Sequence, residues 1–318
     1  MIKCIKAGLI AAGAAAGLAY GLSTVANECL FNRKIVFPDE FNHKMSGCDN
    51  SHLGEFLQNN LKWLESYGYE KHYLTSDKGY ILTGYLVRPE KESDVYVFGA
   101  HGYRSHGKKE FSKFVQYYIE KGYNVFFPDH VASGESEGLM CTFGYNERED
   151  CMKWLGYLIG NFGKDIKIIL HGVSMGCATV CMMSGREDLP SNVKFTVADC
   201  GFTQAEEFFN WKTGKLGIKG AKYITKGVFL AGKINHGFDL FDVSPVDCVK
   251  KARVPMFFVH GDKDGLVPSF MCHELYESCG SEMKDILIVP DADHAQAFVK
   301  AKDAYAEKIE KFAAHFGL

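Results

Sequence analysis

The run Ile166-Lys167-Ile168-Ile169-Leu170-His171-Gly172-Val173-Ser174-Met175-Gly176 carries the strongest structural signal in this chain. A short apolar stretch ends in G-x-S-x-G, and residues 174–183 read as the start of a helix. In such a strand–turn–helix the turn is so tight that the flanking glycines must lack side chains, and the serine hydroxyl stands above the sheet. The new helix also points backbone N–H groups at that position, which favours a developing negative charge there.

Reading outward, the pattern alternates. Short apolar runs at Val95–Ala100, Asn124–Pro128, Val193–Ala198, Pro255–His260 and Asp285–Val289 are interleaved with helical periodicity at Lys109–Lys121, Glu147–Ile159 and His294–Phe316. Short buried strands alternating with longer helices predict βαβ units and a mostly parallel sheet. Ahead of them, His72–Thr75 and Tyr80–Val87 read as two strands joined by the turn Ser76–Gly79, after a lead-in from Ile35 to Tyr69 with an amphipathic helix at Leu53–Tyr67. Gly201–Ala252 breaks the rhythm: it is helix-like, with Phe208, Phe209, Trp211, Tyr223, Phe229 and Leu230, and is expected to be an insertion that caps the strand ends. The expected organisation is an N-terminal segment over residues 1–34 and one α/β domain over 35–318, with the cap at about 201–252.

The composition bounds the function classes. With 47% hydrophobic and 24% charged residues the chain can bury a large core, which excludes intrinsic disorder. A formal charge of −3 provides no basic field for nucleic acid. The 11 cysteines are odd in number, scattered from Cys4 to Cys279, and without a C-x-x-C pair or zinc spacing, so free thiols in a reducing compartment are expected. Cys177 and Cys181 sit four apart on a predicted helix and read as small core residues.

Ala7–Ala26 is uncharged after a head bearing Lys3 and Lys6, long enough to cross a bilayer with the remainder outside. Arg33 and Lys34 weaken that orientation, and Thr24-Val25-Ala26 is an imperfect cleavage site for a secretory signal. Gly13, Gly17 and Gly21 have the spacing of closely packed membrane helices, although glycine is frequent here in any case. The expectation is a single uncleaved membrane anchor.

A serine hydroxyl becomes a nucleophile when a base takes its proton and an acid orients that base, in the chain order serine, acid, histidine. Gly261-Asp262-Lys263-Asp264-Gly265 follows one predicted strand, and Pro290-Asp291-Ala292-Asp293-His294 follows the last. Both loops fall at the sheet edge that carries Ser174. His294 is therefore the expected base and Asp264 the expected acid, with Asp199 and Asp262 as alternatives.

With these motifs in order, together with His101-Gly102-Tyr103 and Val267-Pro268, the chain from about Glu70 onward resembles serine hydrolases of the α/β-hydrolase superfamily, in particular bacterial membrane-tethered esterases and serine aminopeptidase-like hydrolases. The resemblance implies a sheet of about eight strands, a small helical cap, and cleavage of an ester, thioester or amide without metal or organic cofactor. It places the oxyanion-binding N–H groups at Tyr103 and Met175. Relatives often carry Asp-x-Arg-x-His-Gly-x-Ser where this chain reads Asp129-His130-Val131-Ala132-Ser133-Gly134-Glu135-Ser136, a departure that bears on loop geometry. Acyl transfer to an acceptor other than water, and a silent tethered binding protein, are the alternatives on the same fold.

Overall fold

Eight strands form one sheet in the computed structural model, which describes residues 2–38, 53–215, 217 and 219–318, with side chains from residue 16 onward. The strands are β1 (Glu70–Thr75), β2 (Ile81–Val87), β3 (Val95–Ala100), β4 (Asn124–Pro128), β5 (Lys167–Val173), β6 (Val193–Asp199), β7 (Met256–Gly261) and β8 (Lys284–Val289), in the spatial order β1-β2-β4-β3-β5-β6-β7-β8. β2 runs antiparallel to both β1 and β4, and every other pairing is parallel. Every residue of β3, β4 and β7 is buried, as the continuous apolar runs require when helices cover both faces of a sheet. Part of the expected lead-in from Ile35 to Tyr69 lies outside the described residues.

In chain order the helices are α1 (Ile2–Phe31), α2 (Gly54–Tyr67), α3 (Gly107–Glu120), α4 (Glu147–Phe162), α5 (Met175–Ser184), α6 (Ala205–Lys215), α7 (Ala221–His236), α8 (Pro245–Val249), α9 (Phe270–Ser278), α10 (Ala297–Lys300) and α11 (Lys302–His315). Phe111 and Phe114 of α3 join Tyr305, Ile309 and Phe312 of α11 in a core on one face of the sheet. Cys151, Trp154 and Leu155 of α4 join Val180 and Met183 of α5 on the other. Cys177 and Cys181 are buried with their sulfurs 3.9 Å apart, and burial pushes the Cys177 thiol well up, as suits small core residues.

One expectation needs correction and one is left without support. The final helix does not run unbroken from His294 to Phe316, because Ala301 (φ −137°, ψ 50°) separates α10 from α11 and the chain from His294 to Gln296 stays outside any helix. Nor is any helix among the described residues long and apolar enough to cross a membrane. Residues 16–22 of the expected span are exposed, and α1 packs against protein toward its C-terminal end. Tyr20 Oη donates to Asn235 Oδ1, Asn235 Nδ2 to Thr24 Oγ1, and Asn27 Nδ2 to the Val228 carbonyl of α7. Phe31, at the end of α1, lies edge-on to Phe143, Phe209 and Phe238 and is buried in the same apolar cluster as Phe208 and Phe229. Hydropathy alone cannot distinguish a helix facing lipid from one facing another helix.

One buried charge yields a prediction. Asp150, at the start of α4, is 7% exposed, lines a cavity of about 170 Å³ with Ser76, Tyr80 and Met140, and is pushed up to about 7 by burial and by Glu147 beside it. A raised carboxyl costs stability once the unfolded group ionises near pH 4, and the penalty grows until the folded group ionises near 7. Asp150→Asn is therefore expected to stabilise the protein by about 2 kcal/mol at pH 8 and by almost nothing at pH 4. Thermal melts at the two pH values check this.

Candidate active site

The elbow is built by close backbone approach. A Cβ on Gly172 would lie 2.2 Å from the Gly176 carbonyl oxygen, and one on Gly176 would lie 1.9 Å from the Ala100 oxygen, so neither position admits a side chain. Between them Ser174 adopts φ 58°, ψ −116°, a conformation that non-glycine residues rarely take. Its N–H donates to the Asp199 carbonyl at 2.8 Å, which fixes the turn to the neighbouring strand.

The structure brings Ser174, His294 and Asp264 into one hydrogen-bonded line. His294 Nε2 lies 2.8 Å from Ser174 Oγ and His294 Nδ1 lies 2.7 Å from Asp264 Oδ2. Nδ1–H donates to the carboxylate, which leaves Nε2 free to accept from the serine hydroxyl. The loops bearing Asp264 and His294 are pressed together: a Cβ on Gly261 would lie 2.1 Å from the Ala292 carbonyl oxygen, and Gly265 N–H donates to Asp293 Oδ1.

Asp264 is held from both sides. Its Oδ1 accepts the Leu266 and Val267 N–H groups at 2.9 and 2.8 Å, and its Oδ2 faces His294 and also His260 Nε2 at 2.9 Å. Burial alone would raise its pKa, but the His294 charge and the histidine hydrogen bonds outweigh this and hold the carboxyl well below its usual range. His294 shows the mirror effect: burial would lower it, yet the Asp264 carboxylate raises it above its ordinary value, with Glu110 and Asp199 adding to the rise.

The other candidate acids have different partners. Asp199 is buried, accepts from Tyr305 Oη at 3.0 Å, and is pushed up to about 6 by burial. Asp262 Oδ1 accepts the Asp291 N–H and so ties the two loops together. His171, within the central strand β5, lies between two phenols. Tyr305 Oη donates to Asp199, so it accepts from His171 Nε2, and His171 Nδ1 accepts from Tyr118 Oη.

Sequence reasoning gave no role to His260, the last but one residue of β7. It is fully buried, and its Nε2–H is shared between Asp264 and the Val267 carbonyl. Its place four residues before Asp264, at a strand end, was the available signal. His260→Ala is expected to lower kcat/KM about tenfold, the cost of roughly one hydrogen bond to a charged group. It should also move the acid limb of the pH profile upward, because Asp264 would then bond His294 more strongly. A pH series of kcat/KM checks both effects.

Gly102 backs onto the elbow, where a Cβ would lie 3.3 Å from Ser174 Cβ, so the Tyr103 backbone passes beside the nucleophile. Among the described residues no acceptor takes the Tyr103 N–H. Met175 is the first residue of α5, where N–H groups have no intrahelical acceptor. His101 braces this loop: Nδ1–H donates to the Gly102 carbonyl and Nε2 accepts the His130 N–H. The departing segment after β4 is held by Asp129, whose carboxylate accepts from Gly107 N, Glu135 N and Tyr85 Oη.

A buried ion pair lies alongside. Glu110 Oε1 and Lys113 Nζ are 2.6 Å apart, and Lys113 also reaches the carbonyl of Ala295, the residue after His294, at 3.4 Å. Despite burial, Lys113 brings the Glu110 carboxyl down to about 2. Cys200 Sγ lies within 4.8 Å of the Asp264 and His294 ligand atoms, but those two bond each other and burial pushes the thiol well up. That donor set suits proton transfer better than metal binding.

The family model Peptidase_S9, prolyl oligopeptidase family, matches residues 109–317. YqkD of Bacillus subtilis, described as an uncharacterized protein, is 25% identical over 240 residues, covering 75% of this chain and 77% of its own. The esterase Pf2001 of Pyrococcus furiosus superposes with a TM-score of 0.62 at 20% identity, over 79% of this chain and 92% of its own. Est1E of Butyrivibrio proteoclasticus, solved with ferulic acid bound, gives 0.59 at 18% identity, over 76% and 99%. Acetyl xylan esterase 1 of a Thermoanaerobacterium species gives 0.57 at 15%, over 83% and 93%.

Proposed function

The chain belongs to the prolyl oligopeptidase family and is an esterase-like serine hydrolase of the α/β-hydrolase superfamily; from that premise we propose that it cleaves a carboxylic ester through an acyl-enzyme on Ser174. The observation that carries this reading is the continuous line from Ser174 Oγ through His294 to Asp264, with contacts of 2.8 and 2.7 Å.

In this mechanism Ser174 Oγ attacks the carbonyl carbon while His294 Nε2 takes its proton. Asp264 keeps Nδ1 protonated and stabilises the imidazolium. The Tyr103 and Met175 N–H groups hold the tetrahedral oxyanion. His294 then protonates the leaving alcohol, and the same nitrogen activates the water that releases the acid. The scheme uses only side-chain and backbone groups of this chain.

The acyl side is supported by an aromatic cluster. Phe143 stacks on Phe202 at 4.9 Å, lies 5.7 Å from the Tyr103 ring, and shares its apolar cluster with Met175. Phe208 and Phe229 of the expected cap are buried in the same cluster, so part of the aromatic content packs α6 and α7 onto the body. This surrounding favours an apolar acyl or aryl group.

The test is hydrolysis of p-nitrophenyl esters of increasing acyl length, beside a matched thioester and a peptide p-nitroanilide. A rate that varies with chain length, and exceeds that on the anilide, is expected. Equal rates at every length would refute an apolar acyl pocket, and turnover of the anilide alone would refute the ester reading.

A further inference from the structure

Helices α1 and α7 are fixed side by side by the Tyr20, Thr24 and Asn27 contacts and by His236 Nε2, which donates to Glu28 Oε1 at 2.6 Å. Each buries one side and leaves an apolar ridge on the other. On α1 the ridge is Leu18, Leu22 and Val25, spaced i, i+4, i+7 and 67%, 64% and 61% exposed. On α7 it is Tyr223, Leu230 and Ile234, spaced i, i+7, i+11 and 70%, 48% and 61% exposed. The buried faces explain the fold, but nothing within the described chain covers these ridges. Isolated exposed leucines need no explanation, whereas a row on each of two neighbouring helices does.

The charge beside the ridges selects the occupant. The sequence has no Asp or Glu from Met1 to Asn27, where it carries Lys3 and Lys6. It has none from Trp211 to Phe238, where it carries Lys212, Lys215, Lys219, Lys222, Lys226 and Lys233. Lys222, Lys226 and Lys233 are exposed on α7 itself, Lys226 lying 3.8 Å from Glu206 and Lys233 2.5 Å from Asp239. The chain as a whole is acidic, at −3, so this basic sign is local. Apolar ridges flanked by lysines, with no acid on α7 and the one acid of α1, Glu28, taken up by His236, match an interfacial helix on an anionic lipid surface. A protein partner would need matching acids, and a second copy would set these lysines against one another.

We propose that the α1–α7 pair is a lipid-docking face, lying flat on an anionic bilayer with both ridges in the headgroup–acyl boundary. This differs from a membrane-spanning anchor, because α1 stays hydrogen-bonded to α7, and it stands independently of the ester chemistry.

The experiment is flotation of the full chain with phosphatidylcholine vesicles and with vesicles containing about one-third phosphatidylglycerol, in low and high salt, together with sedimentation to read the oligomeric state. The quadruple variant Leu22→Ser, Val25→Ser, Leu230→Ser, Ile234→Ser tests the ridges while leaving residues 1–21 intact. Tyr73→Ser with Ile81→Ser, exposed on the first two strands, is the control. The expected result is binding to the anionic vesicles, weakened by salt, reduced at least tenfold in the quadruple variant and unchanged in the control. Binding by the quadruple variant equal to wild type would overturn the proposal, since residues 1–21 would then suffice. No wild-type binding, or loss of a dimer in the quadruple variant without any change in flotation, would overturn it as well.

Discussion

Ser174→Ala is expected to end covalent labelling by a fluorophosphonate and to lower ester hydrolysis by about 10⁴- to 10⁶-fold, with the melting temperature nearly unchanged. The size follows from the site. Ser174 Oγ is the hydroxyl on the elbow that faces His294 Nε2, at 2.8 Å, so no neighbour takes over its role. The fold survives because alanine keeps the Cβ, and the strained turn is held by the Ser174 N–H to Asp199 contact and by the glycine packing at 172 and 176. His294→Ala should cost nearly as much as Ser174→Ala, and the double variant little more than either, because residues acting as one unit lose their function once. Labelling that persists in Ser174→Ala would place the nucleophile elsewhere and remove the basis of the proposed mechanism. Equal loss in the two single variants, without further loss in the double, would establish them as one catalytic unit.

The succession of strands along the chain and the position of the elbow were legible because both rest on local rules. A buried parallel strand reads as an unbroken apolar run, and a turn that admits no side chain reads as two glycines around a serine. The candidate acid was narrowed by type and only partly by position: Asp199 ends a strand, Asp262 and Asp264 follow one, and what separates them is whether Tyr305, Asp291 or His294 is the partner. The contact of His260 had only its spacing from Asp264 as a signal, because Asp264 is also the partner of a histidine 30 residues further on. The final helix was read too long because the apolar period continues through Ala297 and Phe298, whereas the chain is irregular at His294–Gln296 and again at Ala301. The N-terminal segment was ambiguous for a related reason. An alanine- and glycine-rich helix has the same composition whether it meets lipid tails or another helix, and the contacts of Tyr20, Thr24, Asn27 and Phe31 show that the C-terminal part of α1 meets protein.

Asp264→Asn is expected to lower kcat by about 10⁴-fold near neutral pH, by a route different from loss of the nucleophile. Oδ1 of Asp264 already accepts two backbone N–H groups, from Leu266 and Val267. An asparagine would keep its carbonyl oxygen there and turn its NH₂ toward His294 Nδ1 and His260 Nε2. Two donors cannot share one bond, so His294 would switch tautomer, with Nδ1 accepting and Nε2 carrying the hydrogen. Nε2–H would then face the Ser174 hydroxyl and could not take its proton. The pH profile should carry a second signature. Asp264 raises the pKa of His294, so the wild-type acid limb is expected above 6.5, with activity rising as His294 loses its proton. Removing the carboxylate removes its part of that rise, so the limb should move downward while the plateau collapses. Stability carries a third sign. The folded carboxyl is held below its unfolded value near 3.9, so its contribution is fully present above about pH 4 and is lost as pH falls through the folded pKa. Asp264→Asn should therefore destabilise the protein at pH 7 and converge with wild type in strong acid. A variant with full activity and an unshifted acid limb would return the orienting role to Asp199, whose bond to Tyr305 would then have to break in the working enzyme.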